Sequence, residues 1–594
     1  MTEPSSAPSP SAPSPERGGL FARFLTGVEW LGNLLPHPVT LFAMFAIGVV
    51  LVSGLCGWLE VQVEDPRPEG AKGRSSDGWI VAKSLLTGEG IRWMATHLVT
   101  NFTGFVPLGT VLVALLGVGV AERSGLLGAA IRGLVLSAPR NLVTVVVVFS
   151  GVLSNIASEM GYVVLIPLAA VVFHSVGRHP LAGLAAAFAG VSGGYSANLL
   201  IGTVDPLLAG ITEEAARFVD PSYEVHPAVN WYFMMASTFL ITVLGTFVTA
   251  RIVEPRLGTY DPAGADDSVQ QQPSLEHLTP KERRGLLHAA LAVLVTVALF
   301  AGLAGPQFTT TVMLPPGQAI EDVAQWSAEQ VAAAQSGGGP LKPYAIPVQE
   351  GFRGALNQVF DAIPLWGVLR DPAQNTLMPS PFLKSIVAMI FVFFLVPGFA
   401  YGRSVGTMRG DRDVIDGMAG AMNAMGLYIV LVFFAAQFVA YFKWTNLGSI
   451  LAVVGADALV AMGLDNAWVF VPFILMCCFV NLMLGSASAQ WAVTAPIFVP
   501  MLMHIGYSPE VIQAAYRIGD STTNLITPMM SYFGLILAYA CRYDRNLGIG
   551  TLIATMLPYS LFFLAGWIAF FYLWVFGLGL PVGPGAPTYF ELGP

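Results

Sequence analysis

Charge is what this sequence has least of. Only 11% of its 594 residues are Asp, Glu, Lys or Arg, against roughly 25% in soluble domains. A water-facing globular fold is excluded on that ground. The formal net charge is −9 and no basic stripe interrupts the apolar runs, so nucleic-acid binding is excluded as well. Cysteine is nearly absent. Cys56, Cys477, Cys478 and Cys541 lie in or beside apolar stretches without CxxC or Cys/His spacing, which reads as buried thiols and not as a disulfide framework or a metal centre. The eight His residues form no HExxH or other paired-ligand spacing, and neither a GxSxG elbow nor a Ser-His-Asp order is present. Hydrolytic chemistry has no support. No short apolar segment with a small-residue cleavage site follows the Pro- and Ser-rich residues 1–18, so residues 1–30 are expected to be a disordered tail and the first span to direct insertion.

What the chain has in abundance is apolar sequence, 55% of all residues. Runs long enough to cross a hydrocarbon core of about 30 Å occupy 39–59, 98–120, 229–250, 284–303, 380–399, 414–440 and 549–577. Two further stretches, 181–215 and 511–541, are apolar but interrupted by Gly, Ser, Asn, Asp and Pro, the pattern of spanning helices that unwind midway. The reading is therefore an all-α polytopic membrane protein with about nine transmembrane helices. Segments 141–176 and 467–503 each place two short apolar arms around a polar tip, SNIASEMG and NLMLGSASAQ, as re-entrant helical hairpins do.

Short loops rich in Arg and Lys, among them Arg123, Arg132, Arg140, Arg403, Arg409, Arg542 and Arg545, are assigned to the cytoplasm. That puts the N-terminus inside and the C-terminus outside. The chain then divides into the tail 1–30, a first half 31–255, a cytoplasmic linker 256–283, a span at 284–303, an extracytoplasmic insertion 304–379, a second half 380–578 and a C-terminal tail 579–594. The stretch AQWSAEQVAAAQSGGGP in the insertion reads as a short helix ending in a flexible linker, and lid, dimer element and tether all stay open for it. The hairpins open from opposite sides, which implies an inverted repeat. Spacing supports it. Asn155 and Asn481 sit in the hairpin tips, Asn198 and Asn524 in the broken helices after them, and both separations are 43 residues.

A carboxylate in a span costs about 2.5–3.5 kcal/mol at the centre on insertion scales, so Glu159, Asp205 and Asp520, all at predicted breaks, require a reason. One is cation coordination or proton uptake; the other is a structural carboxylate paired with Arg or capping a half-helix. Arg517, Asp520 and Asn524 fall at i, i+3 and i+7 on one helix face, so Arg517 and Asp520 can pair, either as an internal salt bridge or as part of a site with the hydroxyls and Asn524 ahead of Pro528. Ser154 with Asn155, and Asn481 with Gly485, Ser486 and Ser488, offer hard oxygens suited to sodium. Half-helix N-termini beside them favour an anionic substrate group. Trp491, just after the second tip, is a stacking platform if deep and an interfacial-belt residue if shallow.

The stretches SNIASEMGYVVLIPLAA, GRHPLAGLAAAFAGVSGGYSANLLIGTVDPLLAGIT, NLMLGSASAQWAVTAPIFVPML and AAYRIGDSTTNLITPMM closely resemble the AbgT family of p-aminobenzoyl-glutamate transporters, over essentially 30–303 and 380–578. The resemblance implies a homodimer of nine-span protomers in a bacterial-type inner membrane, each with two re-entrant hairpins and a bowl open to the cytoplasm. It implies secondary transport of p-aminobenzoyl-glutamate, or export of sulfonamide antimetabolites, coupled to sodium or protons. The implied partners are a small aromatic amide or sulfonamide and the bilayer, and no cofactor is implied apart from bound sodium. By motif, Asp205, Trp491, Pro509, Arg517 and Asp520 match positions implicated in transport, and Asn481, Gly485 and Ser488 match second-hairpin contacts. Glu159 stands where the family motif is expected to carry Asp, which leaves a first-half cation site open. A channel, an intramembrane aspartyl enzyme, and a carrier of another organic or inorganic anion are the alternatives.

Overall fold

The computed structural model describes residues 38–69, 74, 76–157, 161–260, 278–315, 330, 334, 342–348, 350–371, 373–377, 380–545 and 547–591. The tail 1–30, Glu159, most of the linker 256–283 and nearly all of the expected short helix in the insertion lie outside them. Among the described residues eight helical runs are long and apolar enough to cross a bilayer: Pro38–Trp58, Gly88–Ser124, Trp231–Leu257, Pro280–Leu303, Ile386–Val405, Gly426–Trp444, Ala467–Leu484 and Ile549–Gly577. Seven coincide with the apolar runs of the sequence. The eighth, Ala467–Leu484, is the first arm of the second hairpin. The bent pair Leu126–Leu136 with Arg140–Ser154 makes a ninth if counted as one span, and each of the two interrupted stretches is helical on both sides of a break.

Two boundaries move. The run 414–440 is two elements, because Asp411–Ala424 carries Asp411, Asp413 and Asp416 and forms a separate amphipathic helix, after which the spanning helix begins at Gly426. The run 380–399 begins its span at Ile386, because Pro381–Lys384 closes a short turn of its own. Local chemistry fixes other ends. Thr279 and Glu282 form a reciprocal capping box on Pro280–Leu303, satisfying two otherwise orphaned N–H groups. That helix shows much of its surface to the surroundings, with Leu287 at 68% and Leu294 at 66% exposure, as a lipid-facing helix does.

Each half runs in the same order. In the first, Val106–Ser124 leads into the short helix Leu126–Leu136, and a bend of 112° separates that helix from the segment Arg140–Ser154. Val143–Ser154 and Ile166–Ser175 are the hairpin arms. A helix broken into Pro180–Phe188 and Val204–Ala216 comes next, then Trp231–Val248. In the second, Gly426–Trp444, Leu447–Ala461, arms Phe470–Leu484 and Ala487–His504, a helix broken into Pro509–Thr523 and Phe533–Cys541, and Ile549–Phe571 repeat that order. Small residues let hairpin and broken helix touch in both halves. A Cβ on Gly151 would lie 2.8 Å from the Gly190 backbone, and one on Gly519 would lie 2.7 Å from the Ile474 carbonyl.

The remaining structure is peripheral. Gln62–Glu64 pairs antiparallel with Trp79–Val81, and Thr309–Leu314 with Lys342–Pro347, the latter leading to the helix Gly351–Asp361. The C-terminal segment packs on both halves, with the Val582 carbonyl accepting from Phe233 N–H and the Pro584 carbonyl bonded to His226 Nε2 in the first. Phe590 N–H donates to the Gly506 carbonyl, and Ser508 Oγ donates to the Pro587 carbonyl at 2.5 Å.

Candidate functional site

The hairpin tips end at the breaks of the broken helices, and there the polar residues of the sequence converge. In the second half, Phe470–Leu484 stays helical until Gly485, whose φ of +52° turns the chain back. A Cβ at Gly485 would also sit 2.7 Å from the Met529 carbonyl, so both the turn and the close approach require glycine. Asn481, fully buried, donates from Nδ2 to the Asp520 carbonyl at 2.6 Å, to Thr523 Oγ1 at 3.0 Å and to Asn524 Oδ1 at 2.8 Å. The 43-residue spacing read from the sequence thus closes as a direct side-chain bond. In the first half Asn155 Nδ2 donates to the Gly194 carbonyl at 3.3 Å, the same 39-residue separation as Asn481 to the Asp520 carbonyl, while Asn198 is buried in the same break and its Oδ1 takes no bond from Asn155.

Several buried oxygens here have no hydrogen-bond partner among the described residues: both carboxylate oxygens of Asp520, Oδ1 of Asn481, Asn155 and Asn198, and Oγ of Ser196. Leaving such groups unpaired costs about 1–3 kcal/mol each, more for a charge. They are hard oxygen donors on both hairpin–break pairs, which fits an alkali cation and not a soft metal. Ser154 Oγ is instead committed to the Gly151 carbonyl at 2.6 Å, and Ser488 Oγ lies 3.4 Å from Ser486 Oγ in the second tip.

The Arg517–Asp520 pair that helical spacing allows is not formed. Arg517 Nη2 donates to Asp205 Oδ1 of the other half at 2.5 Å, with both side chains buried. The reason is position. Asp205 lies in the first turn of Val204–Ala216, where it also accepts from the Gly202 N–H at 2.6 Å, and the long guanidinium reaches it across the interface between halves. Asp520 is thereby left without a donor.

Trp491 is fully buried and stacks on Tyr516 at 4.2 Å between centroids, so it is no belt residue. Its Nε1 donates to Thr212 Oγ1 at 2.9 Å; Thr212 donates to Gln513 Oε1 at 2.6 Å; Gln513 Nε2 donates to Asn230 Oδ1 at 2.8 Å. Asn230 Oδ1 also accepts from Arg517 Nε at 3.1 Å, completing a chain from the second hairpin to the Arg517–Asp205 pair. Pro509 begins its helix, behind the Ser508 cap, and shapes the start of the element that carries Arg517 and Asp520. Asn230, Thr212 and Gln513 were not singled out from the sequence. Gln513 carried a signal, four residues before Arg517 on the same face; Asn230, just ahead of a helix, and Thr212 carried none.

Comparison with known proteins agrees with this architecture. The model of the AbgT putative transporter family matches residues 23–319 and 354–590. The p-aminobenzoyl-glutamate transport protein of Escherichia coli K12 is 35% identical over 576 residues, 97% of this chain and 98% of that protein. Among solved structures, Neisseria gonorrhoeae MtrF, described within a class of antimetabolite efflux pumps, is 53% identical with a TM-score of 0.80, covering 95% of this chain and all of its own. The YdaH transporter of Alcanivorax borkumensis, described as having an unusual topology, is 40% identical with a TM-score of 0.76, covering 92% of this chain and all of its own. A helical, multi-pass chain with paired hairpin tips and breaks, matched in sequence along nearly its whole length, belongs to the AbgT putative transporter family.

Proposed function

We propose that this transporter carries p-aminobenzoyl-glutamate, exports sulfonamide-type antimetabolites, or does both, driven by a sodium or proton gradient across a bacterial inner membrane. The observation that carries the reading is Asp520: fully buried, with both carboxylate oxygens unpartnered, beside Asn481 and one turn from Arg517. A buried carboxylate in that state is stabilised by a proton or a cation, and either is a coupling ion. Sodium would be held by Asp520 and Asn481 Oδ1 with the Gly485 tip, and a second ion by Asn155 and Asn198. Arg517, Asn230 and Trp491 would line the neighbouring path of the solute. The names of the relatives support the substrate class. The positive-inside pattern supports a cytoplasmic N-terminus, and the family resemblance supports a homodimer.

The test is flux in sealed proteoliposomes. Labelled p-aminobenzoyl-glutamate and sulfamethazine are offered with sodium and proton gradients imposed separately, with Asp520→Ala as control. Saturable, gradient-dependent flux lost in the variant is expected, and the gradient that drives it names the ion. Folded protein that moves neither solute under either gradient refutes the substrate assignment.

A further inference from the structure

Away from the central network, at the end of the molecule that carries Arg542 and Arg545, a cavity of about 150 Å³ lies between the hairpin arm Ile166–Ser175 and the half-helix Phe533–Cys541. Its lining divides by chemistry. Pro167, Leu168 and Val171 supply the apolar side, Tyr539 and Tyr543 the aromatic side, and Arg542, exposed, the charge. Arg542 is exposed; its backbone N–H caps the half-helix on the Ala540 carbonyl, and its side chain makes no hydrogen bond or ion pair among the described residues. Tyr543, by contrast, is buried, and its carbonyl accepts from Tyr260 OH at 3.4 Å, which fixes that side of the rim.

The half-helix Phe533–Cys541 leads from the groove toward the second break. Tyr532, Ile536, Tyr539 and Tyr543 recur at i, i+4, i+7 and i+11, one stripe along the half-helix and its ends. At the inner end of that stripe Tyr532 lies face to face with Tyr162, 4.6 Å between centroids and 5° between planes. Tyr162 OH in turn donates to Ser192 Oγ in the first broken helix at 3.3 Å. Tyrosines therefore stand at both ends of this stripe, with the buried Ile536 between them. The volume falls below the roughly 300–1,000 Å³ of pockets that enclose a drug-sized ligand, so the groove takes one ring and its charged substituent, not a whole solute.

We infer that this groove is a peripheral docking site for an aromatic carboxylate, with the ring of the solute on Tyr539 and a carboxylate on Arg542, from which the solute passes to the breaks along the tyrosine stripe. An arginine with free donors forms charge-assisted bonds to a carboxylate, and a tyrosine ring offers a face for stacking. The inference deepens the proposed function and rests on its aromatic-anion substrate class.

The experiment is equilibrium binding of radiolabelled p-aminobenzoyl-glutamate to the purified full-length protein carrying Asp520→Ala, alone and with Arg542→Gln or Tyr539→Ala added. Residual binding is expected in the single variant and about tenfold weaker binding in each double variant. The exposed Arg542 makes Arg542→Gln safe for folding. Binding that ignores Arg542, or no binding to Asp520→Ala at all, overturns the site. Loss with Arg542→Gln but not with Tyr539→Ala assigns a bare anion site and overturns the aromatic specificity. Wild-type flux measured in parallel separates the two readings. Arg542-dependent binding without flux sinks the transport assignment and leaves the groove; flux with Arg542-independent binding does the reverse.

Discussion

At the scale of single residues, the site turns on who satisfies Arg517. Its guanidinium divides between Asp205 and Asn230, and Asn230 also takes the amide of Gln513. Asn230→Leu removes an acceptor from a buried charge, a loss of about 1.5–3 kcal/mol. Initial rates of flux are expected to fall by roughly ten- to a hundredfold, with less effect on expression than on rate. Trp491→Phe keeps the stack on Tyr516 but removes the donor to Thr212, a neutral bond of about 1 kcal/mol. A several-fold fall in flux is expected there, against the far larger damage of Trp491→Ala, where an emptied aromatic site costs about 3–5 kcal/mol of stability. Thermal unfolding of the two variants distinguishes these outcomes. Much of this network was legible as residue types, since Asp205, Arg517, Asp520 and Trp491 stand out in apolar sequence. Its connectivity was not, because hydrogen-bond partners more than 280 residues apart, such as Gln513 and Asn230, leave no local pattern.

At the scale of elements, the second hairpin works only if its tip can approach the break. Gly485→Ala forces an L side chain into a left-handed conformation, costing roughly 1–2 kcal/mol, and drives its Cβ against the Met529 carbonyl. Flux is expected to be lost while the helices remain folded by circular dichroism, because the clash is confined to the tip. The outer strand pair is a different case. Burial alone would push the Asp65 carboxyl up, but hydrogen bonds from the Arg67 side chain and backbone hold it below its ordinary 3.8. Arg67 Nη1 also reaches the Val219 carbonyl beyond the first broken helix at 3.3 Å. A lowered folded-state value means the contribution to stability is complete above the ordinary value and disappears as pH falls through the folded one. Wild-type protein is therefore expected to lose thermal stability below about pH 4 by a component that Asp65→Asn lacks, as read by melting curves across pH.

At the scale of the whole molecule, the halves are joined by the Arg517–Asp205 pair and by contacts such as Ser196 N–H to Ser521 Oγ at 3.1 Å. Breaking one side of a buried pair costs about 3–5 kcal/mol, whereas removing both charges is often neutral. Asp205→Asn is thus expected to lower the melting temperature and abolish flux. Asp205→Asn with Arg517→Gln is expected to recover the melting temperature but not the flux. Recovery of both would show that the pair serves only to hold the halves together.

The sequence by itself determined the class, about how many helices cross, the helix–turn–helix segments, the repeated order and the family, because bilayer thickness and the cost of unpaired backbone in lipid leave few ways to arrange such apolar runs. It also marked the polar tips, since polar residues in lipid are costly enough to need a purpose. Only the tertiary structure decided who pairs with whom. Helical periodicity placed Arg517 and Asp520 on one face, yet the interface between halves brought Asp205 within reach and left Asp520 without a donor. A salt bridge depends on which charges meet in space, and that is set by the packing of elements that lie 312 residues apart in the chain.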